Sequence, residues 1–191
     1  GLYICHPDYR GQGYGWAVWQ AGMRHLDGMV VGLDGVVEQQ ENYRKSGFEL
    51  AYRNIRYAGS TAHWPDSPAN DSDTIVRAYE AADGSALLAM DSRIHGYSRE
   101  QLIASWVKPS VSRESLVCMD GGQLCAFATI RECREGFKIG PLMAVSSEHA
   151  FTLLSRLVAQ LGATNIMLDV PEPNHSAMAL AEALGLTPVF E

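Results

Sequence analysis

A glycine-rich segment at residues 10–15 (RGQGYG) joins an apolar run to a helical pattern, and this junction most limits what the chain can fold into. The run before it, residues 1–6, is apolar and β-prone and ends at a Pro-Asp pair, which predicts a strand followed by a turn. After it, apolar side chains recur at positions 16, 19, 23 and 26, the spacing of one helix face. The sequence therefore opens with a strand, a glycine turn and a helix.

The predicted turn has features of an anion-binding site. Glycines let the backbone approach a ligand closely, and a helix N-terminus stabilises a bound anion by roughly 0.3 to 2 kcal/mol. A Walker loop is excluded because no Gly-Lys-Ser/Thr follows, and the glycine spacing differs from the G-x-G-x-x-G of dinucleotide-binding folds. A flexible turn without a ligand is the alternative interpretation.

Composition restricts the class of protein. The 191 residues carry 22 Asp and Glu against 15 Lys and Arg, a net charge of -7 without a basic run, which argues against nucleic-acid binding. No apolar run approaches the roughly 18 to 20 residues of a membrane span, so we predict a soluble, cytoplasmic protein without a membrane partner. The four cysteines form no C-x-x-C pair, so we predict free thiols and no metal site.

The order of predicted elements divides the chain. Residues 1–58 read as β-α-β-α-β, with strands at 1–6, 29–33 and 47–56 and helices at 16–26 and 37–46. Residues 59–73 contain two Pro and several Asp and Asn and are predicted to be a linker. A second domain, 74–191, follows, with predicted strands at 74–79, 115–120, 123–133, 137–145, 165–170 and 186–190 and helices at 80–91, 98–107, 148–161 and 174–184.

The end of the second domain repeats the first segment in order and spacing. Both contain strand, helix, a strand ending in Leu-Asp, helix, and then Gly-Phe or Gly-Leu at the start of a strand. The sequence lacks an initiating Met and opens on a strand, so we expect the first copy to be truncated at its N-terminus. The predicted fold class is α/β (α+β), with two mixed sheets flanked by helices.

Two motifs in the first segment resemble those of the GNAT superfamily of N-acetyltransferases. The family's acetyl-CoA motif is R/Q-x-x-G-x-G/A, and Arg10, Gly13 and Gly15 fill its fixed positions. A helix that ends in Tyr43 before Gly47-Phe48 is the second motif. The resemblance implies acetyl-CoA as cosubstrate, the backbone of Ile4 and Cys5 along its pantetheine arm, and its pyrophosphate on Arg10, Gly11, Gln12, Gly13, Tyr14 and Gly15.

By the same resemblance, Tyr43 is the catalytic residue, which hydrogen-bonds the sulfur of the leaving thiolate. A phenol is a weaker acid than a thiol, so hydrogen bonding is a safer role than full proton transfer. Packing of Tyr43 on the sheet is the alternative. The chain departs from the family at Val36, where an Asn often contacts the cofactor. The second copy lacks the glycine loop and has Glu148 near a helix start, so we expect it not to bind CoA.

Two functions remain open at this point. The resemblance favours an N-acetyltransferase acting on a small-molecule or peptide amine, inactive as this chain alone because the family's general base commonly lies on earlier strands. The alternative is a non-catalytic module that binds CoA or another ligand and regulates. Asp169 and Glu172 could form a carboxylate pair for the amine, although this segment also suits a turn and helix cap. An unpaired apolar edge at residues 1–6 would favour a homodimer.

Overall fold

The computed structural model describes residues 4–66, 73–108 and 110–190, and the chain divides into two compact units. The first unit is Gly1–Gly47 and the second is Phe48–Glu191. The sequence placed the division in a linker at 59–73, so the observed boundary comes earlier. Residues 67–72 of that linker lie outside the described residues.

The described residues of the first unit form two α-helices, α1 (Tyr14–His25) and α2 (Gln40–Lys45). Neither residues 4–6 nor residues 29–33 form a strand, and residues 1–3 of the first predicted strand lie outside the described residues. The predicted strands are therefore wrong for the described residues. A strand forms only when its backbone pairs with another strand, and an apolar sequence pattern alone does not provide that partner. None of the described residues of this unit is buried. The apolar core of the described chain therefore lies in the second unit.

The second unit is one mixed sheet covered by helices, which confirms the α/β class. Its seven strands are β1 (Asn54–Ser60), β2 (Thr74–Ala78), β3 (Arg113–Asp120), β4 (Gln123–Glu132), β5 (Phe137–Ala144), β6 (Asn165–Pro171) and β7 (Thr187–Phe190). Its helices are α3 (Gly84–His95), α4 (Glu100–Trp106), α5 (Ser147–Leu161) and α6 (His175–Ala183). Among the described residues, the strand order is β2-β3-β4-β5-β6-β1-β7, with β5 and β6 parallel and the other neighbouring strands antiparallel. The described residues thus form one sheet instead of the two expected.

Strand β1 corrects the predicted domain division. The sequence placed a strand at 47–56 in the first domain, but the strand runs over Asn54–Ser60 and lies between β6 and β7, antiparallel to both. Tyr57 at its centre is only 1% exposed. Gly59 packs so closely that an added Cβ would come within 3.0 Å of the Leu186 side chain. Residues 74–191 are therefore not a complete domain, because their sheet includes a strand from the preceding segment.

Both faces of the sheet are buried. Alternation along β4 places Ala126, Ala128 and Ile130 on one face and Phe127 on the other. On the first face, α5 contributes three neighbouring leucines and α6 contributes Ala181 to the larger core cluster. On the second face, α3 and α4 supply Leu87, Met90 and Ile103. None of the helices among the described residues is long and apolar enough to cross a bilayer.

A partly buried ion pair fixes the connection between β2 and α3. Nη1 and Nη2 of Arg77 donate to the two carboxylate oxygens of Asp83 at 2.7 Å, and this hydrogen bonding holds the pKa of Asp83 below its usual range. Asp83 is 6% exposed, and it also accepts the backbone N–H of Glu80 at 2.8 Å.

We expect Asp83→Asn to lower the free energy of unfolding at neutral pH by about 1–3 kcal/mol, below the range for a fully buried pair because the Arg77 side chain is 33% exposed. A carboxyl with a lowered folded pKa stabilises the fold above its unfolded pKa of about 3.9, and this contribution disappears as the pH falls through the folded pKa. As the pH falls below about 4, the free energy of unfolding should therefore decline less in the variant than in the parent protein. Urea unfolding across acid pH measures both effects, with the exposed Asp27→Asn as control. An unaltered pH dependence in Asp83→Asn contradicts the prediction.

Candidate functional site

The glycine-rich loop adopts backbone conformations that require glycine. Gly11 and Gly13 have φ of 74° and 85°, in the left-handed region that L side chains rarely adopt. A Cβ added at either position would meet nothing within 4 Å. The loop therefore has open space beside its backbone, where a ligand can approach.

The loop ends at an uncapped helix. Gly13 is the N-cap of α1, no side chain caps that end, and the first turn contains no acidic residue. The first N–H groups of a helix have no acceptor within the helix, and they present a partial positive charge. Phosphate oxygens are suitable acceptors for such groups. That residues 10–15 bind an anion stays a prediction, and this local geometry supports it.

Side chains of the loop tie it to the preceding segment. Nε of Arg10 donates to the carbonyl of Cys5 at 3.1 Å, and Nε2 of Gln12 donates to the carbonyl of Asp8 at 2.9 Å. The bond from Arg10 places Cys5, which is predicted to contact acetyl-CoA, next to the loop. Ile4, the residue before it, is 75% exposed. Part of the role of Arg10 and Gln12 is therefore to hold the shape of the loop.

Tyr43 lies against the helix that the loop begins. Its ring centroid is 6.1 Å from that of Trp19, which is six residues after the N-cap of α1, about 9 Å along the helix axis. Gly35 provides the space for this ring, since a Cβ there would be 2.3 Å from Cε2 of Tyr43. Gly35 and Trp19 were not predicted as neighbours of Tyr43. The sequence contains no local signal for these contacts, because they join separate segments.

The second unit has a cleft where two strands separate. β5 and β6 pair only between Phe137–Ile139 and Ile166–Leu168, and a cavity of about 220 Å³ opens beyond that point. Its lining is mostly apolar, with a few small polar side chains from the helix starts. The lining residues are Leu142, Ala144, Val145, Ser146, Ser147, Ala150, Leu154, Leu168, Asn174, Ser176, Ala177, Leu180, Ala181 and Leu184.

This cleft lacks a glycine-rich loop like the one at residues 10–15. Only Val145 and Ser146 separate β5 from α5, and Oγ of Ser146 accepts the backbone N–H of His149 at 3.2 Å as a helix cap. Glu148 adds a carboxylate to the first turn. A filled cap and a carboxylate both disfavour a bound pyrophosphate. That the second copy does not bind CoA stays a prediction, and these contacts support it.

Asp169 is engaged by cations from the neighbouring strands. Arg56 donates to its two oxygens at 2.6 and 3.1 Å, and Nζ of Lys138 donates at 2.5 Å. Although burial opposes it, these bonds hold the pKa of Asp169 below its usual range. The carboxylate therefore joins β1, β5 and β6, and the hypothesis that it pairs with Glu172 to bind an amine is not supported by its contacts.

Comparison with known proteins identifies relatives of the whole chain. A holothin acyltransferase of Pseudoalteromonas sp. (strain SANK 73390) is 29% identical over 191 residues, which cover all of this chain and 63% of that protein. The chain thus spans less than two thirds of the length of this relative.

Solved structures share the fold. A protein of Pyrococcus horikoshii classed among the acetyltransferases superposes with a TM-score of 0.71 at 22% identity, covering 96% of this chain and 59% of that one. A tandem GNAT protein from the clavulanic acid biosynthesis pathway gives a TM-score of 0.60 at 13% identity, with 97% and 70% covered. The ribosomal-protein-S18-alanine N-acetyltransferase of Escherichia coli gives 0.51 at 22% identity, with 59% and 76% covered.

The family model described as an acetyltransferase (GNAT) domain matches residues 87–191, more than half of the chain. The matched region starts in α3 and includes β3 to β7, which form most of the sheet. It lies entirely in the second unit, whereas the glycine loop that resembles the family's acetyl-CoA motif lies in the first. Sequence family and sheet topology therefore agree, and the chain belongs to the GNAT acetyltransferase domain family.

Proposed function

We propose that the protein is an N-acetyltransferase that transfers the acetyl group of acetyl-CoA to the amine of a small molecule or peptide. The observation that carries this proposal is the loop at residues 10–15, with two left-handed glycines before an uncapped helix that has no acidic residue in its first turn. In a chain of net charge -7, such a local site is a means of binding a pyrophosphate without a basic surface.

In this proposal, each part of the loop has a role toward the donor. The backbone at Gly11 and Gly13 and the first N–H groups of α1 hold the pyrophosphate. Arg10 and Gln12 maintain the shape of the loop through their bonds to the backbone carbonyls of Cys5 and Asp8. The backbone of Ile4 and Cys5 lies along the pantetheine arm.

The reaction is direct attack of the acceptor amine on the carbonyl carbon of the thioester. The carbon–nitrogen bond forms, the carbon–sulfur bond breaks, the sulfur leaves as a thiolate, and the nitrogen releases one proton to water. The hydroxyl of Tyr43 donates a hydrogen bond to that sulfur and so stabilises charge that develops in the transition state. Trp19 and Gly35 hold the Tyr43 ring in place.

The relative named holothin acyltransferase supports acyl transfer as the reaction class, because its similarity extends over all of this chain. Holothin is therefore the first acceptor to test, followed by a panel of small-molecule and peptide amines. We further propose that the chain joins the end of one GNAT unit to a second, divergent one. On this view the 191 residues alone bind the donor without turnover, so the assays use the longest natural protein that contains them.

We expect Gly13→Val to weaken acetyl-CoA binding at least about tenfold, measured by isothermal titration calorimetry. Valine is strained at the φ of 85° that the N-cap requires, and its side chain would occupy the open space beside the loop. Gly28→Val is a matched control, because Gly28 also has a left-handed φ, 76°, and open surroundings but lies after α1. An affinity for acetyl-CoA within a factor of two of the parent in Gly13→Val would place the donor site elsewhere.

A further inference from the structure

Three potential metal ligands meet at the end of the β3–β4 hairpin. Asp120 ends β3, Cys125 lies near the start of β4, and His149 is in the first turn of α5. Each offers one ligand atom, and these atoms all lie within 4.8 Å of one another. The cluster lies wholly within the second unit and is independent of the proposed donor loop.

An irregularity in the ladder brings the thiol to this cluster. Cys118 pairs with Ala126, but the next residue, Met119, pairs with Leu124, so Cys125 is an additional residue in β4 without a pairing partner in β3. Such β-bulges redirect a side chain, and they occur frequently beside functional sites. Here the bulge places Sγ of Cys125 near the imidazole of His149 and the carboxylate of Asp120.

The imidazole of His149 is already oriented. Its Nδ1 lies 2.6 Å from Oγ of Ser146, and its Nε2 lies 3.1 Å from Oδ2 of Asp120. A hydroxyl can donate or accept, so Ser146 is compatible with either tautomer of the ring. When Nδ1–H donates to Ser146, the lone pair of Nε2 points toward Oδ2 of Asp120. A partner on the second ring nitrogen is the usual support of a metal-binding histidine.

We propose that Asp120, Cys125 and His149 bind a zinc ion, with a fourth coordination position left for water. Zinc bonds of about 2.0–2.3 Å to N, O and S place tetrahedral ligand atoms about 3.3–3.8 Å apart. The His149–Asp120 distance is close to this range, and the thiol sulfur has to approach the other two ligand atoms by up to about 1.3 Å. One carboxylate and one thiolate balance the two positive charges of zinc. Calcium and magnesium prefer oxygen ligands alone, so this donor set selects against them.

The other cysteine of the hairpin does not join this site. Cys118 is fully buried. Its side chain belongs to the larger core cluster. Cys125 is half-buried, and the side chains of His149 and Asp120 are 18% and 42% exposed. A metal ion can therefore reach these three residues from solvent.

The test is titration of the metal-free 191-residue chain with Zn²⁺ by calorimetry and with Co²⁺ by absorption spectroscopy. We expect one Zn²⁺ per chain and a thiolate-to-cobalt charge-transfer band. Cys125→Ser and His149→Ala should each weaken Zn²⁺ binding at least about tenfold, and Cys125→Ser should abolish the band. Cys133→Ser and His175→Ala are matched controls, because Cys133 is also half-buried and His175 also lies at a helix start, outside the cluster.

Three results would each overturn the proposal. The first is the absence of stoichiometric Zn²⁺ binding in the parent chain. The second is Zn²⁺ binding that Cys125→Ser leaves unchanged, and the third is Zn²⁺ binding that Cys133→Ser reduces as much as Cys125→Ser does. Thermal unfolding of each variant in EDTA establishes that it is folded. If His149→Ala does not fold, Cys125→Ser decides the result, because it exchanges one small side chain for another at a half-buried position.

Discussion

Residues 74–191 expressed alone are expected to lack a cooperative unfolding transition, whereas residues 48–191 retain one. β1 lies between β6 and β7, and all seven of its residues pair with β6 and three pair with β7. Without β1, β6 loses one of its two neighbouring strands and β7 loses the strand with which it pairs. The truncation also removes Tyr57 from the core and exposes the edge of a strand. These losses together are comparable to the 5–15 kcal/mol that typically stabilises a whole domain. Calorimetric melting of both proteins measures the difference.

A single substitution within the intact chain separates the loss of packing from the effects of truncation. Tyr57→Ala should lower the free energy of unfolding by about 3–5 kcal/mol, the range for removing a large buried aromatic side chain. Tyr52→Ala is the matched control, because Tyr52 lies just before the same strand and is 54% exposed. A cooperative melt of residues 74–191, or equal effects of the two substitutions, would show that β1 is dispensable.

The elements of the second unit could be predicted from sequence where they depend on local pattern. A helix predicted at 148–161 is found at Ser147–Leu161, and a strand predicted at 165–170 is found at Asn165–Pro171. The position of β1 in the sheet could not be predicted in this way. Apolar alternation indicates a strand, but its partners are more than 100 residues away in sequence, and that pairing depends on the packing of the whole sheet.

The candidate sites also differ in whether their residues are contiguous in sequence or come from separate elements. The loop at residues 10–15 was predictable because glycine, a helix start and family spacing are all contiguous in sequence. The contact of Gly35 with Tyr43 and the cluster of Asp120, Cys125 and His149 join separate elements. For the cluster, the decisive feature is a bulge in β4, which changes the direction of one side chain and produces no recognisable ligand spacing.

In the proposed mechanism, Tyr43→Phe should lower turnover by about 10- to 100-fold while the affinity for acetyl-CoA stays within about a factor of two. The substitution removes the hydroxyl that stabilises the leaving sulfur, but it keeps the ring that packs against Trp19. The loop at residues 10–15 is unaffected, so donor binding should persist. Steady-state kinetics and calorimetric titration with acetyl-CoA separate the two effects.

Gly35→Ala tests the position of the same ring without changing its chemistry. Its Cβ would lie 2.3 Å from Cε2 of Tyr43, so the ring has to move and turnover should fall although the hydroxyl is present. Tyr52→Phe, at an exposed tyrosine of the second unit, is the control for removal of a hydroxyl and should leave turnover unchanged. Unchanged turnover in Tyr43→Phe would assign Tyr43 to packing alone. A loss of donor affinity equal to the loss of turnover would instead show that Tyr43 acts through the binding of acetyl-CoA.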